Sequence, residues 1–216
     1  MELKALEKRS YKCEVRAEKG RDGYIVGRPI VYESKTDLGW FDEVIDRGAL
    51  DGADLTDVRF LINHDLRKIP LARSRRNNGN STMRLTPDYE GMEIEALLDI
   101  ENNADSRSLY SAVGRGDVTG MSFMFSIDEE RWENLESDHP TRHVVRIGSV
   151  VEVSAVTLPA YEATSIDARS SEVLDSAKAA LDKARKAAQV RQEEFNEEVD
   201  TSLELEKAKF AFRSKF

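Results

Sequence analysis

The chain has 216 residues, 40% of them hydrophobic and 34% charged, with a formal net charge of −9. That length accommodates one ordinary domain with an extension, and no apolar run approaches the roughly 20 residues that a membrane helix requires. The acidic balance argues against nucleic acid as the main partner, since phosphate binding depends on clustered Lys and Arg, and the single cysteine excludes an internal disulfide or a cysteine zinc cluster.

In chain order, the first twenty residues alternate charge with isolated apolar positions and lack the apolar core of a secretory signal, so a cytoplasmic or intraparticle location is expected. Cys13 falls in a strand-like stretch with no nearby histidine and reads as a strand residue rather than a nucleophile. Period-two alternation predicts strands over residues 23–32, 58–64, 92–100, 121–127 and 144–158. Helical turns are predicted over 41–50 and over 105–113, where Leu109, Ala112 and Val113 share a face and Gly114 supplies the stop. Arg67, Lys68, Arg73, Arg75 and Arg76 form a basic cluster in a loop-like stretch, expected to be a solvated face rather than an anion site or a nucleic-acid surface.

All twelve Gly and all five Pro lie at or before Pro159, and a segment without such punctuation should be helix. Ser170 and Ser171 with Glu172 and Asp175 supply an N-terminus for it. Val173, Ala177, Leu181, Ala184, Ala188, Phe195, Val199 and Leu203 then recur at helical spacing as a thin stripe. Such a stripe is too weak for a core and suits either an arm that pairs with a partner helix or docks on a neighbouring protein, or a solvated helical tail without a partner. The expected class is α+β: a mainly antiparallel, barrel-like β core with flanking helices over 1–169, and a helical arm over 170–216.

Three polar residues sit in otherwise apolar strands. Val58, Phe60 and Ile62 alternate onto one face, and continuing the count puts His64 on that face. Met121, Phe123, Phe125 and Ile127 share one parity, which turns Ser122 the other way. Glu152 is the one ionisable group between Val150 and Leu158, and a buried carboxylate without a donor is too costly to keep, so it either faces solvent or has a partner. Together they supply a hydroxyl nucleophile, an imidazole base and a carboxylate to hold the imidazole. The order His, Ser, acid and the lack of a G-x-S-x-G elbow argue against an ordinary lipase or esterase.

Several segments look like the prohead proteases of tailed phages. They are Asn63-His64-Asp65 at a strand end, Gly120-Met121-Ser122-Phe123 with Phe125, and Glu152-Val153-Ser154 leading to Thr157-Leu158-Pro159-Ala160-Tyr161. The stretch from Gly27 to Tyr32, Phe41 and the turn Arg47-Gly48-Ala49-Leu50 join them, and the similarity runs over about 23–166. The family is related in fold to the herpesvirus assemblins. The resemblance implies an assemblin-like core, Ser122 as nucleophile, His64 as base and Glu152 as third member, with no cofactor or metal. Assemblins use a second histidine in the third place, which makes His143 the alternative and His139 a weaker one. Met124 departs from the family, which often has Gly two residues after the nucleophile. Backbone amides around Gly114 to Gly120 or near the basic cluster are candidate oxyanion donors.

The resemblance further implies an enzyme packaged inside the immature shell in the host cytoplasm, cutting scaffold or major capsid protein segments and itself. A homo-oligomer through the C-terminal helix is a further expectation. The competing expectation is an inactive capsid-assembly or scaffolding protein of the same fold.

Overall fold

The computed structural model describes residues 6–11, 15–18, 20–157 and 171–213. Cys13, Ser170 and the motif residues 158–161 lie outside the described residues. The chain forms β1 (Leu6–Tyr11), β2 (Val15–Ala17), β3 (Tyr24–Val31), β4 (Thr36–Asp37), β5 (Asp42–Ile45), β6 (Val58–Ile62), β7 (Ala72–Ser74), β8 (Met83–Pro87) and β9 (Gly91–Leu97). It continues through α1 (Ala104–Arg115), β10 (Gly120–Glu133), β11 (Thr141–Val156) and α2 (Ser171–Arg213).

The strands build two sheets, and the organising element is the 16-residue β11. On one edge it pairs antiparallel with β10, which in turn pairs with β1. On its other edge two strands follow one another in parallel: β5 beside Thr141–Val144, then β6 beside Glu152–Ala155, with a single bridge from Asp54 to Ser149 between them. The second sheet has the order β2-β3-β9-β8 and is antiparallel throughout. The class is α+β with mainly antiparallel pairing, as expected, but the described strands make two open sheets rather than a closed barrel. Phe60, Met121, Phe123, Val153 and Ala155 of the larger sheet share one core with Ile25, Ile30, Met92 and Ile94 of the smaller one.

Two local expectations need correction. Residues 41–50 are not a helical turn: the stretch opens with β5, because a parallel partner on β11 is a better use of Val44 and Ile45 than a solvated helix. The helix predicted over 105–113 exists, but it runs through Gly114 to Arg115. Asn103 caps its start by accepting from the Asp105 and Ser106 amides, and Gly116, at φ 79°, ends it by donating to the Ala112 and Val113 carbonyls. A left-handed conformation is what the terminating residue needs, and Gly adopts it without steric cost.

A buried ionic network ties β1 to the centre of the larger sheet. Arg9 donates to Glu7 and to both oxygens of Glu43, one of them at 2.7 Å, while Arg142 donates to Glu7 at 3.0 Å and to Glu130 at 2.5 Å. Arg9, Glu7, Glu43 and Arg142 are all buried. Burial pushes the Glu7 carboxyl up, but the Arg9 and Arg142 charges beside it outweigh burial and hold it below its ordinary value of 4.5. A carboxyl lowered by folding stabilises the protein fully above its unfolded value, and that contribution is lost as pH falls through the lower folded value. Wild type is therefore expected to exceed Glu7→Gln in thermal unfolding midpoint near pH 7, with the gap narrowing below pH 4.5. A gap that stays constant down to pH 3 would contradict this linkage.

The chain divides into two compact units, Met1–Val173 and Leu174–Phe216. In the second, α2 exposes Val190, Phe195, Val199 and Leu203. No helix among the described residues is long and apolar enough to cross a membrane.

Candidate active site

The central ladder settles which side chains share a face. Ser122 lies opposite Ser154, and Met124 opposite Glu152, across β10 and β11. Directly opposed residues project to the same side of a sheet, and so do residues two apart on one strand. Ser122, Met124, Glu152 and Ser154 therefore form one patch, on the side away from Phe123 and Val153. The expected parity at Ser122 holds. The outward, solvated alternative for Glu152 does not, because Ser122, Glu152 and Ser154 are each 0% exposed.

His64 reaches this patch by a route that strand counting misses. Arg59 and Leu61 pair with Glu152 and Ser154, whereas Phe60 pairs with Val153. Continued alternation would have placed His64 with Phe60, on the face opposite Glu152. Instead β6 ends at Ile62, and Asn63 and His64 both take left-handed conformations, at φ 49° and 59°. Each such residue costs about 1–2 kcal/mol outside glycine, so the turn persists only because its surroundings hold it. Asn63 donates its amide to the Ala155 carbonyl at 3.0 Å and accepts on Oδ1 from the Thr157 amide at 3.0 Å. The His64 amide donates to Ser154 Oγ at 3.1 Å. The signal for the turn was in the sequence, since Asn is among the few residues that tolerate this conformation.

The turn sets the imidazole against the carboxylate: His64 Nδ1 hydrogen-bonds Glu152 Oε1. Glu152 Oε2 accepts from Ser154 Oγ at 2.5 Å. An ionised carboxylate has only lone pairs to offer, so with Glu152 ionised and the imidazole neutral, Nδ1 would carry the hydrogen and Nε2 the lone pair. Nε2 is buried and has no hydrogen-bond partner among the described residues. An unpaired polar atom in such a setting is one that water, an ion or a reacting group would satisfy, and Thr36 Oγ1, Ser106 Oγ and Trp132 Nε1 are in the same state. The Ser122 hydroxyl does not satisfy Nε2 here: Oγ donates to the main-chain carbonyl of Arg9 on β1, at 2.7 Å. Nothing in the sequence pointed to that contact, which spans 113 positions. Met124, the departure from the family pattern, lies across the ladder from Glu152 on the same face and is buried.

The alternatives for the third member stand elsewhere. His143 pairs with Val44 and Arg131 at the opposite end of β11, roughly 25–30 Å along the strand from Glu152. Its Nδ1 faces Asp46 at 2.6 Å. His139 Nε2 faces Asp42 at 3.0 Å, in an exposed group with Asp37 whose three ligand atoms lie within 4.8 Å of one another. Of the basic cluster, Arg67 pairs with Asp65, Lys68 with Asp105 and Arg73 with Asp57. Among the candidate oxyanion amides, that of Gly116 is engaged in capping α1.

No curated protein and no solved structure matches the chain. The sequence profile of the caudovirus prohead serine proteases matches residues 11–179, well over half of the chain and including His64, Ser122 and Glu152. The chain therefore belongs to the caudovirus prohead serine protease family.

Proposed function

We propose that the protein is a serine endopeptidase of prohead maturation in which Ser122 is the nucleophile, His64 the general base and Glu152 the carboxylate that orients the base. The observation that carries this reading is the buried, unpartnered Nε2 of an imidazole whose other nitrogen is held by Glu152, on the sheet face that also bears Ser122. The first step is a rotation of the Ser122 side chain that exchanges the Arg9 carbonyl for His64 Nε2. Nε2 then takes the Oγ proton as Oγ bonds to the scissile carbonyl carbon. Collapse of the tetrahedral intermediate breaks the C–N bond, and the same proton passes from Nε2 to the departing amine. Water, deprotonated by His64 in turn, releases the acyl group and restores the hydroxyl. Glu152 keeps the hydrogen on Nδ1 and stabilises the imidazolium that forms in each half-reaction.

The substrates proposed are scaffold or major capsid protein segments and the chain itself, cut within the procapsid in the host cytoplasm. Family membership supports this, and the exposed apolar positions of α2 suit an arm that recruits the enzyme or pairs it with a second copy. An inactive assembly protein of the same fold is the competing reading, and chemistry separates the two. A fluorophosphonate probe is expected to label wild type at Ser122, identified by peptide mass, and not to label Ser122→Ala. In parallel, intact mass should show self-truncation in wild type alone. Wild type that neither labels nor cleaves would favour the assembly protein.

A further inference from the structure

The patch that carries the proposed catalytic residues holds a fourth polar side chain, Ser154, which is 0% exposed. A hydroxyl has one hydrogen and two lone pairs, and here both kinds of capacity are directed at the site. The hydrogen goes to Glu152 Oε2 at 2.5 Å, and a lone pair receives the main-chain N–H of His64 at 3.1 Å. One atom thus holds the carboxylate that faces Nδ1 and also the backbone that carries the imidazole.

The need for each bond is visible in the geometry. Glu152 Oε1 is engaged by His64, and Ser154 holds the second oxygen, so the plane of the carboxylate is set by two donors rather than one. His64 itself sits at φ 59°, a conformation that a non-glycine residue keeps only when held. Ser154 also lies directly across the ladder from Ser122, so a disturbance there is felt on both sides of the proposed proton transfer.

We propose that Ser154 is a positioning residue of the peptidase, acting through Glu152 and the His64 backbone to aim Nε2 at the place Ser122 Oγ must occupy. This rests on the assignment of His64, Ser122 and Glu152 made above. Displacement of about 1 Å in a reacting group is enough to cost orders of magnitude in rate. Losing Ser154 should therefore slow acylation without removing the nucleophile.

The test is the rate and end point of fluorophosphonate labelling in the full-length chain, for wild type, Ser154→Ala, Ser154→Thr and Ser122→Ala. Expected for Ser154→Ala is a rate at least tenfold below wild type that still reaches the wild-type labelled fraction, because the folded population and the nucleophile are intact. The conservative Ser154→Thr, which keeps the hydroxyl, should recover most of that rate. The proposal is overturned if Ser154→Ala labels at the wild-type rate. It is also overturned if the labelled fraction falls while the rate per labelled site stays unchanged, the pattern of a purely structural defect. Failure of the underlying assignment looks different: wild type itself would not label at Ser122.

Discussion

Ser122→Ala is expected to lower the rate of peptide cleavage by about 10⁴–10⁶-fold, and His64→Ala by a similar factor, with the double variant no slower than the worse single one. In the proposed mechanism the hydroxyl and the imidazole act as a unit: a base without its nucleophile, or the reverse, leaves only binding and backbone donors to assist attack by water. Intact-mass kinetics on a scaffold-derived segment, or on self-truncation, give the rates. Both substitutions remove side-chain atoms from a buried patch, so circular dichroism on the same samples should show folded protein. A Ser122→Ala protein that cuts within tenfold of wild type would remove Ser122 from the chemistry, and independent losses in the two singles would separate it from His64.

The second large effect concerns stability. Arg142 is buried and contacts Glu7, Glu43 and Glu130; the burial that lowers its pKa is outweighed by those carboxylates, which raise it. Arg142→Met would leave Arg9 alone against the acids it shares with Arg142, and removing one partner of a buried network costs about 3–5 kcal/mol. For a protein of this size that corresponds to roughly 6–20 °C in unfolding midpoint. Pairing it with Glu43→Gln should recover part of the loss, because the second change relieves the excess of negative charge that Arg142→Met leaves around Arg9. A midpoint within 2 °C of wild type for Arg142→Met alone, measured by thermal unfolding near pH 7, would show the network to be dispensable.

How far the sequence reveals the site depends on whether a residue lies inside regular structure. The sheet face of Ser122 was legible because Gly120 to Met124 keep unbroken register with β11, so parity counting is valid there. Glu152 was legible for the same reason, together with the cost of an unpaired buried charge. His64 was named for its chemistry, yet the counting that placed it ran past the end of β6 and gave the wrong face. Two left-handed residues reversed that outcome, and only the Asn63-His64 pair hinted at them. Residues 41–50 misled differently: Phe41, Val44, Ile45 and Ala49 follow helical spacing, but a strand partner almost a hundred residues away overrides it. The Arg9, Glu7, Glu43 and Arg142 network was not legible at all, since each member looks like an ordinary charge until β1, β5 and β11 are side by side.

Chain order gives β11 a further significance. The imidazole leaves the end of β6, the hydroxyl rides on β10, and the carboxylate belongs to the strand between them, which is also the last of the described strands to be made. Its two flanks are a hairpin-like neighbour already close in sequence and parallel neighbours from far upstream, whose docking carries a large loop-closure entropy. On the proposed assignment, a nascent or C-terminally shortened chain lacking 141–156 would hold His64 and Ser122 without the carboxylate that orients the imidazole, and is expected to be inert. The proposed chemistry would then become available only late in synthesis, once β11 has docked between β6 and β10.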